Sequence, residues 1–357
     1  MKRVTVTTLL VLIALSVCYC WLFYPCQVMG PSDPVTVHTP AASDSSSINY
    51  HDDCLHPCIR LVNEGKWESQ YMMIQSPYYA WDNKVENPIF YCSEDWKNWE
   101  GGLELSSTPK TGFNSDPTLF VSGDTIWTFW RECGTPLCDS VGSSMITVGS
   151  YSLDGISFFE KKVYLRNEMM FGDTEQSPIL IKKGNELLFY AAWYEYEPKR
   201  RNKGIAIWSG TSLSNPDFVL VDTLSFPSVY TVDKWLQKKA LGHIWYIPRP
   251  LQYDLWHFDL FEYKNALYLV SCAEKNDVVM LSVSYDGKHF KTCRKPLINN
   301  HYMENFVGYR QYYYKPTAFV KDDTLHLFYT ANDKDDSNHN VLYHSQKSMI
   351  EIAKLFR

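Results

Sequence analysis

Four stretches of the chain share one plan, and a repeated plan narrows the possible folds more than any other feature of the sequence. Each begins at a proline or its stand-in, runs through an apolar stretch, turns about six residues on and continues as an aromatic-rich strand. They span residues 115–130, 176–190, 256–270 and 314–329. The turns fall at Gly123-Asp124, Gly184-Asn185, Lys264-Asn265 and Asp322-Asp323. These residue types accept the positive φ of a tight hairpin. A second signature, Ser-x-Asp-Gly at Ser152–Gly155 and Ser284–Gly287, has a relative at Ser93-Glu94-Asp95-Trp96. Each copy separates two strands and reads as a turn, which makes the unit four-stranded. The units recur about every 60 to 80 residues, too long for WD or kelch blades and suited to larger blades with long loops. A fifth, less regular unit is read at His56–Leu61, Gln70–Pro77 and Asn87–Ser93. The expectation is an all-β, five-bladed β-propeller with four-stranded antiparallel blades, filling residues 52–357 as one domain. A two-sheet sandwich is the rival, and the repeat argues against it. Helix is expected only at the two ends.

The N-terminus carries Lys2 and Arg3 before an apolar run from Val4 to Tyr24. A run of about 21 residues is long enough to cross a bilayer, and no small-x-small cleavage site follows it. Residues 1–25 therefore read as a signal-anchor transmembrane helix with the positive end inside, and a cleaved signal is the alternative. Residues 26–51, rich in Pro, Ser, Thr and Asp, read as a flexible stalk. The propeller is then outside the cytoplasm. No Asn-x-Ser/Thr sequon occurs, which fits a bacterial envelope, periplasm or cell surface. In an oxidising compartment, Cys54 with Cys58 and Cys133 with Cys138 are candidates for short disulfide loops. The net charge of −6 argues against a nucleic-acid partner, because no basic stripe is present to neutralise phosphates. The 25 Tyr, 18 Phe and 12 Trp suit strands and also the apolar faces of sugar rings.

Ser115-Asp116-Pro117 opening one blade, Glu175-x-x-Pro178 opening the next and Ser-x-Asp-Gly closing blades resemble the five-bladed glycoside hydrolases of families 43 and 32, the arabinanases, xylosidases, invertases and levanases. The likeness covers nearly all of residues 52–357 as a pattern. It implies a carbohydrate partner and three carboxylates at the channel mouth: a base or nucleophile, a modulator and a glutamic acid. Asp116 matches the second-blade aspartate. Two positions depart from the pattern. His56 stands where the first-blade aspartate is expected, and Gln176 stands where the third-blade glutamate is expected, with Glu175 one residue further back.

Strand parity gives an independent reading. Aligned on their prolines, with Phe258 as the stand-in, the five blades place His56, Asp116, Ser177, His257 and Lys315 at one position. All five are polar, and a purely structural ring does not require that. Asp259 shares their parity. Glycoside cleavage needs one carboxyl held protonated and another charged. Asp116, Glu175 and Asp259 are the catalytic candidates, with Glu175 the natural acid. His56 and His257 are placed to bind substrate, and Lys315, Arg131 and Arg310 suit a carboxylate on an acidic sugar. Blander roles exist for each: Asp-Pro often serves as a turn, His257 suits a buried core position, and Lys315 suits neutralisation of Asp116 and Asp259.

Three functions follow. The first is cleavage or transfer of a glycosidic bond in an extracellular polysaccharide, with no cofactor and no metal. The second is a sugar-binding or polysaccharide-assembly propeller that has lost its base. The third is a metal-assisted step using His56, His257 and Asp116 or Asp259, since two histidines and a carboxylate form a metal set.

Overall fold

The computed structural model describes residues 28–30, 33–37, 53–99, 101–166, 173–195, 201–225, 229–240, 243–253, 255–273, 278–293, 295–299 and 312–356, with only the backbone path given for 173–176, 195, 201–203, 229–253 and 273. Five antiparallel sheets make the blades. Blade 1 is Cys58–Leu61, Tyr71–Gln75, Ile89–Ser93 and Leu103–Glu104. Blade 2 is Phe113–Ser122, Thr125–Cys133, Met145–Ser152 and Lys162–Arg166. Blade 3 is Asp173–Lys183, Glu186–Glu195, Arg201–Gly210 and Val219–Leu224. Blade 4 is Leu255–Tyr263, Ala266–Ala273 and Val278–Ser284, with an outer edge in two pieces at Lys291–Thr292 and Ile298–Asn299. Blade 5 is Thr317–Lys321, Thr324–Asn332 and Asn340–Ser348. A hairpin the repeat does not foretell, Val229–Ala240 with His243–Tyr253, joins blades 3 and 4.

The fourth strand of blade 5 comes from the other end of the chain. Asp33–Pro34 pairs with His344 and Tyr343, and Thr36–Val37 then runs parallel to Asn98–Trp99 beside blade 1. Val35 and Val37 are buried with Trp99, Phe328 and Leu342 in the core between blades 5 and 1. Met29 is buried too, with its amide donating to Leu297. Residues 28–30 and 33–37, expected within a stalk, thus belong to the propeller and close its ring. The anchor expected at 1–25, and 38–52 of the stalk, lie outside the described residues. Among those described, no helix is long and apolar enough to cross a membrane.

Most of the core is distributed between blades rather than within them. Phe90, Leu119 and Ile126 fill the space between blades 1 and 2, and Phe129, Phe189 and Trp208 the space between 2 and 3. Ile179, Tyr194, Leu260 and Leu269 lie between 3 and 4, and Val270, Leu281, Leu327 and Tyr329 between 4 and 5. With the blade 5–1 cluster, these make a closed circuit of apolar contacts, so each blade is buried only by having two neighbours.

The turns follow their chemistry. Lys264-Asn265 and Asp322-Asp323 have positive φ at both residues, the type I′ geometry. In the Ser-x-Asp-Gly segments, Asp154 Oδ1 accepts from the Ile156 and Ser157 amides, and Asp286 Oδ1 accepts from those of Lys288 and His289. Two expectations fail here. The Cys133–Cys138 loop folds as a short helix, Pro136–Ser140, because Thr135 caps it and Pro136 starts it. All seven described cysteines are unpaired thiols. Cys58 points away from Cys54, its Sγ 3.5 Å from Thr118 Oγ1 of blade 2.

Candidate metal centre

The inner strands line the channel, and in three blades they break register at equivalent points. Pairing shifts between Ser115 and Thr118, between Gln176 and Ile179, and between Leu255 and Phe258. These are β-bulges, which re-aim a side chain at the expense of ladder pairing. Asp116 and Ser177 sit in theirs at φ 49° and 53°. A non-glycine residue held there costs about 1–3 kcal/mol, and such strain clusters at functional sites.

The bulges bring Asp116, His257 and Ser177 together with His56. His257 Nδ1 is 2.7 Å from Ser177 Oγ and 3.2 Å from Asp116 Oδ1. His56 Nε2 is 3.8 Å from the same carboxylate oxygen, and the two imidazole rings are 4.9 Å apart. One donor atom from each of His56, Asp116 and His257 lies within 4.8 Å of those of the other two. All three residues are buried. His56 Nε2 and both Asp116 carboxylate oxygens are buried without a well-formed hydrogen bond. Asp116 has ion-pair partners, but a buried imidazole nitrogen left unpaired, as at His56, is costly in a site with no other purpose.

A surrounding network holds the three in place. Glu86 Oε1 lies 2.9 Å from His56 Nδ1 and accepts from Ser115 Oγ at 2.5 Å. Ser115 Oγ accepts from Arg131 Nη2 at 3.1 Å, and the same guanidinium nitrogen is 2.9 Å from Asp116 Oδ2. A carboxylate beside Nδ1 keeps the His56 proton there and leaves the Nε2 lone pair facing Asp116. Burial alone would push the Asp116 carboxyl up, but the Arg131 guanidinium, with a hydrogen bond from His257, outweighs it and holds the group well below the usual carboxylate range. Burial pushes His257 down to about 3 against the pull of Asp116, so its ring is neutral, the form that ligates a metal. Imidazole and carboxylate donors suit zinc or another first-row divalent ion.

The remaining expected residues are placed as follows. Asp259, expected among the catalytic carboxylates, is engaged further along the channel. Arg60 donates to its two oxygens at 2.7 Å and 2.6 Å, and Thr317 donates at 2.5 Å. This clamp ties together the inner strands of blades 1, 4 and 5, two residues along from His257. Lys315, expected to bind substrate, is fully buried, and its ammonium donates to the Pro117 carbonyl at 2.7 Å. Arg131 likewise holds Asp116 rather than facing outward. Glu175 pairs by backbone with Trp193; its side chain, and all of Arg310, lie outside the described residues. Glu86 and Ser115 were not singled out from the sequence. Glu86 lies on the loop before the third strand of blade 1, where no repeat position marks it.

No protein-family model matches the chain, and no curated protein matches it. Solved structures do. An N-acetylgalactosamine deacetylase from F. plautii, in complex with blood group B trisaccharide, superposes with a TM-score of 0.67 at 13% identity, covering 91% of this chain and 97% of that one. Zg3597, a family 117 glycoside hydrolase of Zobellia galactanivorans, gives 0.54 at 12% identity, with coverages of 90% and 91%. CoXyl43, a family 43 β-xylosidase/α-arabinofuranosidase from a compost microbial metagenome, gives 0.53 at 9% identity, with coverages of 90% and 95%. The chain therefore has the five-bladed propeller fold of these carbohydrate-active enzymes, and identities this low establish the fold alone.

Proposed function

We propose that this chain is a carbohydrate-active hydrolase that removes the acyl group from an acylated amino sugar, with a divalent cation held by His56, Asp116 and His257. The observation that carries the reading is the buried convergence of those three side chains at bulges of the inner strands. Support also comes from the deacetylase that shares the fold over nearly its whole length. A cation bound there supplies polarisation of the acyl carbonyl and acidification of a water molecule. The chain's own residues do the rest. Glu86 fixes the His56 ring, Ser177 fixes that of His257, and Arg131 keeps Asp116 anionic and stationary. Water adds to the carbonyl carbon, the C–N bond breaks, the amine departs with a proton, and the acid is released. The proton delivery is assigned to Glu175, whose backbone lies on the same inner strand as Ser177.

A second reading, cleavage of a glycosidic bond, has one observation in its favour: Asp116 is held anionic, as a base or nucleophile must be. The glycosidases that share the fold lend it further support. As part of the proposal, residues 1–25 anchor the propeller outside the cytoplasm.

The test is metal stoichiometry. Full-length chain stripped with a chelator is titrated with Zn²⁺ by calorimetry, alongside Asp116→Asn and His257→Gln. One ion bound by the wild type, and none tightly by either folded variant, supports the centre. Equal binding by all three contradicts it.

A further inference from the structure

We infer that Trp81 is the stacking platform of a second sugar position, so that the protein recognises an oligosaccharide rather than a single residue; this rests on the reading that the reacting sugar sits at His56 and His257. Trp81 is 43% exposed, large for an indole with no structural purpose, yet it is held rather than free. Ala80 and Trp81 have φ of 53° and 61°, two consecutive strained residues of a kind that persists only where surroundings impose it. Those surroundings are visible. The Ala80 amide donates to the Asn338 carbonyl at 3.0 Å, and Tyr79 Oη donates to Asp336 Oδ2 at 3.1 Å. The Tyr78 amide donates to Asp53 at 2.5 Å. Blade 5 thus pins a blade 1 loop in a conformation that presents the indole.

The rings run in a continuous path from that indole to the metal centre. Trp81 lies 5.6 Å from Tyr314 and 5.8 Å from Tyr78. Tyr314 lies 5.9 Å from His56 and 6.1 Å from His257, and Tyr78 lies 6.5 Å from His56. A sugar at the histidines is flanked by the two tyrosines, and the next sugar along reaches Trp81. An exposed indole offers that sugar a flat apolar face and its edge a hydrogen-bond donor. Other exposed large apolar side chains lie elsewhere: Ile156 and Tyr285 at the Ser-x-Asp-Gly turns, Val219 and Val221 on the outer strand of blade 3, and Ile350 in the C-terminal helix.

The experiment uses the full-length, Zn²⁺-loaded chain carrying Glu175→Gln, which keeps the three proposed cation ligands and removes the assigned proton donor, so that turnover is suppressed. Binding of N-acetylglucosamine, its β-1,4-linked dimer and trimer, and an N-acetylgalactosamine-terminated trisaccharide is measured by calorimetry. The expected result is that at least one oligosaccharide binds about tenfold more tightly than the monosaccharide. Adding Trp81→Ala removes that gain without changing monosaccharide affinity, and Trp81→Phe keeps most of it. Failure of every sugar to bind overturns the inference, as does an equal loss for monomer and oligomers, or no loss at all. Trp81-dependent binding together with no acyl release by the wild type would retain the subsite and sink the deacylation reading alone.

Discussion

Glu86 Oε1 lies 2.9 Å from His56 Nδ1, so a carboxylate from a loop of blade 1 sets which face of the imidazole meets Asp116. Groups of this kind orient a metal ligand without touching the metal, and losing one typically lowers metal affinity or activity by about 10–100-fold. Glu86→Gln is expected to lower Zn²⁺ affinity within that range while the thermal transition stays close to that of the wild type, since glutamine still fills the space. Unchanged affinity would place Glu86 outside the centre's support.

Arg60, half-buried, pairs with the fully buried Asp259 across the channel. Removing one partner of such a pair leaves an uncompensated charge and typically costs about 3–5 kcal/mol. Arg60→Met alone should therefore destabilise strongly in urea titration. Arg60→Met with Asp259→Leu should recover most of the loss, and should still bind metal, because Asp259 lies two residues along from His257 rather than in the centre. Lost metal binding in a folded double variant would return Asp259 to the catalytic set.

His326 Nδ1 and His344 Nε2 are 3.1 Å apart under Trp96, where blade 5 meets a blade 1 turn. Burial lowers both. His344 falls to about 3, with His326 and Lys97 adding to the effect, and Lys321 adds to that on His326 against the opposing pull of Asp322. The neutral rings are favoured only in the folded state. As pH falls below the ordinary histidine value of about 6.5, the unfolded chain takes up protons that the folded chain refuses, and stability declines toward about pH 3. The urea midpoint should drop between pH 7.5 and 5.5, and His344→Gln should flatten that slope. A midpoint that rises on acidification would contradict the sign.

Much of this molecule was legible in its sequence because repetition amplifies weak signals. A single Asp-Pro is ambiguous, but alignment of five blades placed His56, Asp116, Ser177 and His257 at one position, and the bulges bring those four together. The same alignment could not say where each side chain ends. Lys315 shares the position yet turns its ammonium to the Pro117 carbonyl, and Asp259 shares the parity yet meets Arg60, whose reach across the channel no spacing encodes. Ring closure by Asp33–Pro34 was hidden because a two-residue edge strand has no periodicity, and its Pro- and Ser-rich surroundings mimic a linker. Trp81 and Glu86 lie in the long connection between the second and third strands of blade 1, outside any repeated position, so only the fold brings them to the mouth.

The measurement that tests the central claim most directly is mass spectrometry of glycans incubated with the full-length, Zn²⁺-loaded chain, using oligosaccharides that carry acetamido sugars. The proposed chemistry predicts products of unchanged chain length that have lost acetyl groups, with matching acetate release abolished by chelation and by Asp116→Asn. Shortened oligosaccharides with their acetyl groups intact, formed equally well in the presence of chelator, would contradict it and establish the chain as a glycosidase.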